Sequence, residues 1–131
     1  MAHLHEIVFD SCHPASIARF WAAALDGYEV APYDEAELHR LRGNGITSTE
    51  DDPAVRIQAS NASRPGILFQ LVPEPMAIKN RVHLDLRCES FDAESKRLTE
   101  PGASVVAGHD TFIVLADPEG NEFCLSRRTG S

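Results

Sequence analysis

The sequence predicts an α+β fold in which two tandem βαβββ modules form curved mixed sheets. Three observations support this prediction. The order strand, helix, strand, strand, strand occurs twice along the 131 residues, a shift of 77 residues aligns the two copies, and a proline-rich break at 73–75 separates them. Identity under that shift is negligible, so the repeat lies in the pattern of elements alone. We therefore expect one domain with a first module of about residues 1–72, a connector at 73–80 and a second module of about residues 81–131.

The first module begins with an apolar-rich segment of strand length. Ser11 and Pro14 follow with the residue types that start a helix. Apolar residues at helical spacing then predict a helix, which Gly27 ends. Turn-forming residues at 61–65 separate two later strands as a hairpin. The predicted elements are strands at 5–10, 28–30, 54–60 and 66–72, helices at 15–25 and 34–42, and a loop at 48–53.

The second module repeats this order after the connector. A strand with clean alternation comes first, a helix follows it, and Pro101 and Gly102 end the helix. The last two strands are joined by the sequence Asp-Pro-Glu-Gly, which has proline and glycine where a tight turn favours them. The predicted elements are strands at 81–87, 104–107, 111–115 and 121–126, a helix at 90–99 and a turn at 117–120.

Composition and charge narrow the classes of partner. Twelve basic and twenty acidic side chains give a net charge of −8, which disfavours nucleic acid and anionic membranes as partners. No apolar run approaches the length of a membrane span, and the first ten residues lack the basic flank of a signal peptide. Three cysteines without a C-x-x-C pair favour a reducing, cytoplasmic compartment. The acidic balance permits a metal ion or a cationic small molecule.

The clearest alternation in the chain lies at 81–87. Val82, Leu84 and Leu86 share one predicted face, and the other face has Arg81, His83, Asp85 and Arg87. One interpretation of the polar face is a solvated surface whose charges compensate one another. The other is a polar-lined pocket, because helices cover only one face of each sheet in this architecture.

Other strands supply polar side chains that would face the same way. The first strand places Glu6 and Asp10 on one face, the fourth places Leu68 and Gln70 together, and the last does so with Glu122 and Cys124. Imidazole, carboxylate and thiolate groups all bind divalent metals. Their spacing is not local, and the chain has no G-x-S-x-G, G-x-G-x-x-G or Walker motif. The residues alone therefore leave a metal site and a solvated face as alternatives.

Four segments resemble the vicinal oxygen chelate superfamily, which includes glyoxalase I, extradiol dioxygenases, fosfomycin-resistance transferases and bleomycin-binding proteins. The segments are residues 13–25, 66–75, 79–87 and 112–125, and the last contains the sequence Asp-Pro-Glu-Gly-Asn ahead of the final strand. The resemblance covers nearly the whole chain and is strongest to the glyoxalase-like subgroup of small bacterial proteins. It implies the same paired βαβββ modules.

The resemblance also implies a set of metal ligands. The second-module histidine of the superfamily maps onto His83, and the first-module ligand maps onto Glu6, or onto His5 if the strand slips by one residue. A further first-module ligand falls near Gln70. Cys124 stands where the superfamily usually has a glutamate, seven residues after the turn aspartate. The implied cofactor is a divalent ion such as Zn, Ni, Mn or Fe.

Two functions follow from this resemblance. One is a metal-dependent lyase, isomerase or dioxygenase that acts on a small oxygen-bearing metabolite. The other is a metal-independent protein that sequesters a small molecule, as bleomycin-binding members do, in an acidic cleft lined by Asp85, Glu122, Phe69 and the 31–50 loop. Under both, we expect a cytoplasmic homodimer that covers its exposed strand edges.

Overall fold

Each half of the chain folds into a four-stranded mixed sheet with helices. The computed structural model describes residues 1–127, so the last four residues of the predicted second module lie outside the described part. The chain divides into two units, Met1–Pro75 (unit 1) and Met76–Ser131 (unit 2). None of the helices in the described residues has the length and apolar character that crossing a membrane requires.

Unit 1 has a sheet with the strand order β1-β4-β3-β2. β1 and β4 are parallel, and the other neighbours are antiparallel. A short 3-10 turn, Thr49–Asp51, lies within the predicted loop. The elements are β1 (Glu6–Ser11), α1 (Pro14–Ala24), β2 (Tyr28–Val30), α2 (Glu35–Gly43), β3 (Ala54–Ala59) and β4 (Gly66–Leu71).

Helix α1 supplies the apolar layer of unit 1. Ile17, Phe20, Trp21 and Ala24 recur at helical spacing and are all buried. Phe9 of β1 makes edge-to-face contacts with Trp21, at 5.9 Å between ring centroids, and with Phe69 of β4, at 5.3 Å. Phe69 has no exposed surface, so it belongs to this core and not to the lining of a cleft. The expectation that Phe69 lines a ligand cleft was wrong.

Unit 2 repeats the arrangement with the strand order β5-β8-β7-β6. β5 and β8 are parallel, and the other neighbours are antiparallel. Helix α3 begins 77 residues after α1, and its Leu98 is buried together with Leu115, Phe123 and Leu125 of the sheet. The elements are β5 (Leu84–Cys88), α3 (Phe91–Thr99), β6 (Ser104–Gly108), β7 (Phe112–Ala116) and β8 (Glu122–Arg127).

Strand β5 is shorter than the alternation at 81–87 predicts. It begins at Leu84, where it pairs with Phe123 of β8, and Val82 lies outside the strand with 75% of its surface exposed. The expectation that Val82 packs on the apolar face was therefore wrong. The backbone N–H of Glu122 donates to Oδ1 of Asn80 (2.9 Å), so this N–H is not available to extend the ladder toward residue 83.

Candidate metal centre

His83, Asp85 and Cys124 come together at the exposed face of the unit 2 sheet. Asp85 of β5 and Cys124 of β8 are register partners on parallel strands, so their side chains project from the same face. His83 immediately precedes β5, and its Nδ1 lies 3.2 Å from Oδ1 of Asp85. One ligand atom from each of the three residues lies within 4.8 Å of the others. Among residues 1–127, no other set of three His, Cys, Asp or Glu residues forms such a group.

The electrostatics of the cluster centre on the Cys124 thiol. Burial raises the pKa of this thiol, and the Asp85 carboxylate raises it further through its charge and a hydrogen bond. The Glu122 carboxylate adds to the same effect, and the Lys79 ammonium opposes it. The thiol therefore keeps its proton in the metal-free protein. A divalent cation reverses this preference, because thiolate is the form that binds metal.

The donor chemistry of the cluster fits a borderline metal ion. Zinc takes imidazole nitrogen, thiolate sulfur and carboxylate oxygen, and its catalytic sites combine three protein ligands with one open position. The side chains of His83 and Asp85 are 49% and 71% exposed, so both can rotate toward an ion without disturbing the core. The cluster therefore has the donor types, the number of donors and the access that such a site requires.

The two other predicted ligands, Glu6 and Gln70, are engaged within unit 1. Nε of Arg56 donates to Oε2 of Glu6 (2.5 Å), and this contact lowers the pKa of the Glu6 carboxyl. Nε2 of Gln70 donates to Oδ1 of its register partner Asp10 (2.8 Å). Both side chains thus have local partners that a metal ion would have to replace.

The strand registers give a second reason to separate Gln70 from Cys124. Under the 77-residue shift, Asp85 corresponds to Val8, and the register partner of Val8 is Leu68. Leu68 is thus the unit 1 counterpart of Cys124, whereas Gln70 corresponds to Ser126. Glu6 is the unit 1 counterpart of His83. Unit 1 therefore has a metal-binding residue type at only one of the three corresponding positions, that of Glu6.

The Asp-Pro-Glu-Gly-Asn sequence holds the start of β8 in place. The carboxylate of Asp117 is buried, and its Oδ1 accepts from the backbone N–H groups of Glu119 (3.0 Å) and Asn121 (2.9 Å). Gly120 has a φ of +90°, which favours glycine. Asn121 then accepts a hydrogen bond through Oδ1 from Nδ2 of Asn80 (3.2 Å). The turn and Asn80 together fix the strand that presents Glu122 and Cys124.

Glu122 lies two residues before Cys124 on the same strand and lines a cleft of unit 2. The cleft has a volume of about 410 Å³ and lies between the connector residues 76–80 and the turn before β8. Lys79, which acts electrostatically on Cys124, also lines it. Lys79 was not predicted from the sequence because the connector has no periodicity, and Asp85 was predicted to line a ligand cleft and not to bind the metal. The period of two that puts His83 and Asp85 on one face was the available signal.

Comparisons with known proteins agree with this architecture. The model of the family described as glyoxalase-like domain matches residues 6–126. Comparison with curated protein sequences finds no significant match.

Three solved structures show the same fold at low sequence identity. The fosfomycin resistance protein FosX from Mesorhizobium loti is 13% identical with a TM-score of 0.67, over 100% of this chain and 94% of that chain. A glyoxalase/bleomycin resistance protein/dioxygenase family enzyme from Burkholderia phytofirmans is 16% identical with a TM-score of 0.65, over 96% and 98%. A glyoxalase/dioxygenase from Nostoc punctiforme is 14% identical with a TM-score of 0.63, over 98% and 92%. The chain belongs to the glyoxalase-like domain family of the vicinal oxygen chelate superfamily.

Proposed function

We propose that this protein is a metal-dependent lyase or isomerase that acts on a small oxygen-bearing molecule, with His83, Asp85 and Cys124 as its metal ligands. The observation that carries the proposal is the approach of one donor atom from each residue to within 4.8 Å of the others. A set with a thiolate suits zinc, which has no redox chemistry, so we favour a lyase or isomerase over a dioxygenase. Glu6 and Gln70 are already paired in unit 1, so we expect neither to be required for binding.

The chain's own side chains have separate tasks in this proposal. A bound divalent ion would supply Lewis-acid polarisation of ligand oxygen atoms. His83, Asp85 and Cys124 would hold the ion, and Nδ1 of His83 already lies 3.2 Å from Oδ1 of Asp85. Glu122 is on the same face as Cys124 and has a half-buried carboxylate that can accept a proton from the ligand. The site thus pairs three ligands with a neighbouring base.

The similar proteins support the class of ligand. Their names describe fosfomycin resistance, glyoxalase and dioxygenase proteins, and the fold similarity extends over almost the whole of each chain. A small oxygen-bearing ligand is consistent with all three names. At 13–16% identity these structures support the fold and leave the reaction to experiment.

A second candidate function is metal-independent binding of a small molecule. The observation that favours it is the cleft of about 410 Å³, whose lining includes Glu119 and Glu122. That volume lies within the range of small-molecule sites in proteins. Under this alternative, the cluster is a polar patch in which Nδ1 of His83 lies 3.2 Å from Oδ1 of Asp85.

Calorimetric titration with zinc, nickel and manganese separates the two functions. The protein is purified without a His-tag and stripped of metal, and the variants are His83→Ala and Cys124→Ser. We expect one ion per wild-type chain and a loss of affinity of about 100-fold or more in either variant, since each removes a ligand. The exposed His39 of α2 provides the control, because His39→Ala removes an imidazole far from β5 in sequence and leaves the cluster intact.

The same titration identifies the result that overturns the proposal. If wild-type protein takes up none of the three ions, the metal-dependent function fails and the binding function becomes the better explanation. Uptake that His39→Ala abolishes and His83→Ala does not would place the ion elsewhere. Circular dichroism of each variant verifies that a lost signal does not come from unfolding.

We also propose a homodimer. Strand β6 is an edge of the unit 2 sheet, and its neighbouring residues Val105 and Val106 are 55% and 51% exposed. Exposed apolar edge strands favour association, which removes them from solvent. Sedimentation should give about twice the chain mass of 14.4 kDa at micromolar concentration, and a monomer mass would contradict the proposal.

A cytoplasmic location is the last part of the proposal. All three cysteines of the chain, Cys12, Cys88 and Cys124, have free thiols. Free thiols are typical of proteins that stay in a reducing compartment. Fractionation of cells that express the untagged protein tests this location, and recovery from an oxidising compartment would contradict it.

A further inference from the structure

The cleft of unit 2 has a composition that the metal centre does not explain. One wall is the connector, which contributes Met76, Ile78 and Lys79, and the other is the turn and the start of β8, which contribute Glu119, Gly120 and Glu122. Its volume of about 410 Å³ accommodates a metabolite the size of an amino acid or a dipeptide. All of these residues belong to unit 2.

Lys79 and Glu122 place opposite charges at the cleft and do not pair with each other. Lys79 is exposed and Glu122 is half-buried, and neither forms an ion pair with any residue in the described part of the chain. The ammonium and the carboxylate therefore lie farther apart than an ion pair. A ligand that has one positive and one negative group could satisfy both at once, with its amine toward the glutamates and its carboxylate toward Lys79.

The connector wall also presents apolar surface. Ile78 is 77% exposed and Met76 is 38% exposed, so both present apolar surface to solvent at the cleft. Gly120 lies close to Met76 across this mouth, because a Cβ at its position would be in van der Waals contact with the Met76 sulfur, at 3.8 Å. An aliphatic group of a ligand would cover Ile78 and Met76 and remove both surfaces from water.

The cleft has a fixed relation to the metal centre. Asn80 anchors the end of the connector to β8 through the backbone N–H of Glu122 (2.9 Å). Glu122 lies at the cleft and two residues before Cys124 on β8, and Lys79 lines the same cleft next to Asn80 in the connector. A ligand in the cleft would thus have one end beside the cluster.

We propose that this cleft binds a zwitterionic amino acid, or a molecule with the same adjacent amine and carboxylate groups, that has an aliphatic side chain. The inference deepens the proposed function by naming the class of substrate, and it rests on that function only for the link between the cleft and the metal ligands. Lys79 binds the carboxylate of the ligand, Glu122 and Glu119 bind its ammonium, and Met76 and Ile78 contact its side chain.

Three matched probes test the charge requirement on metal-free protein. L-Leucine has both charges, L-leucinamide lacks the carboxylate, and 4-methylpentanoate lacks the ammonium. Backbone NMR shifts at residues 76–80 and 119–122 report binding. We expect saturable shifts with L-leucine. The two other probes should each bind at least about tenfold more weakly, since each loses one charge-assisted contact.

Variants assign each charge of the ligand to its side chain. Lys79→Met should weaken L-leucine about tenfold and leave L-leucinamide unchanged, whereas Glu122→Gln should weaken L-leucine and leave 4-methylpentanoate unchanged. Lys96→Met removes an exposed lysine from α3, outside the cleft, and should leave all three affinities unaltered. Dispersed amide spectra verify that each variant is folded.

The proposal is overturned if L-leucine causes no saturable shifts, or if L-leucinamide binds as tightly as L-leucine, which would make the cleft a site for cations. It is also overturned if L-leucine binds only when zinc is present. His83→Ala separates this test from that of the proposed function. If His83→Ala loses zinc and still binds L-leucine, the metal centre and the cleft are both supported as separate sites. If His83→Ala loses zinc but wild-type protein does not bind L-leucine, the metal centre is supported and the cleft proposal fails.

Discussion

Asp85 and Cys124 lie directly opposite each other on the parallel strands β5 and β8, with their side chains on the exposed face of the sheet. The carboxylate raises the pKa of the thiol, in addition to the larger effect of burial. Without a cation, the sulfur of Cys124 therefore keeps its proton, and a metal ion that binds both groups must displace that proton. Metal binding by this protein therefore releases protons, and its affinity depends on pH.

Asp85→Asn should lower the pKa of the Cys124 thiol part of the way toward its ordinary value. The substitution removes the negative charge and the carboxylate acceptor but leaves burial in place. Alkylation by iodoacetamide at pH 8, followed by peptide mass spectrometry, should therefore become faster at Cys124. Cys88 is an internal reference, because the pKa of its thiol is raised by burial and by Glu94, and Asp85 has no part in that shift. An unchanged rate at Cys124 would show that Asp85 does not contact it in solution.

Cys124→Glu should shift the metal preference of the cluster toward harder ions. Thiolate favours zinc over manganese, whereas carboxylate suits manganese better. We expect the ratio of zinc affinity to manganese affinity to fall by about tenfold or more in competition titrations. Cys124→Ser is the matched control, because it keeps the size of the side chain and should weaken both ions. An unaltered ratio in Cys124→Glu would mean that residue 124 does not contact the ion.

The ion pair between Glu6 and Arg56 should make stability depend on pH. The hydrogen bond from Arg56 lowers the pKa of Glu6 in the folded chain, so its contribution is complete above the unfolded value near 4.5 and disappears as pH falls through the folded pKa. Because Arg56 is 49% exposed, we expect Glu6→Gln to cost only about 0.5–1 kcal/mol at pH 7. Urea denaturation at pH 7 and pH 3 measures this cost.

A double-mutant cycle is the control for that measurement. Arg56→Met alone and Glu6→Gln with Arg56→Met separate the pairwise interaction from the effects of either side chain. The interaction energy should be smaller at pH 3 than at pH 7, because protonation of Glu6 removes the charge that pairs with Arg56. A cost of Glu6→Gln that is the same at both pH values would indicate packing and not charge.

Most of the fold could be predicted because each element has a local signal. Helix α1 follows from Ile17, Phe20 and Trp21 at helical spacing and from Pro14 in its first turn. The helix start at Phe91 repeats that of Pro14 with the same shift that aligns the strands. The start of β5 could not be predicted, because it depends on the long-range hydrogen bond between Asn80 and Glu122, which no local pattern reveals.

The candidate site could be predicted only in part. His83 and Cys124 were predicted from the resemblance, and the parallel pairing of β5 and β8 brings them together. Phe69 was predicted to line the cleft, but it lies in the core. The alternation that places Leu68 and Gln70 on the open face already puts Phe69, between them, on the opposite face. Lys79 could not be found, because an irregular connector gives no indication of which side chains converge.

Asp117→Ala should destabilise unit 2 and weaken metal binding together. The buried carboxylate accepts from the backbone N–H groups of Glu119 and Asn121 and from the side chain of Asn121. Its loss leaves those donors unpaired at a cost of about 2–3 kcal/mol, and it frees the start of the strand that presents Cys124. Asp117→Asn keeps one oxygen acceptor and should cost less. Asp110→Ala, at an exposed hairpin position, is the control. Urea denaturation gives the stability and calorimetry gives the zinc affinity, and a destabilised Asp117→Ala protein that binds zinc as tightly as wild type would show that the turn stabilises the fold without positioning the ligand.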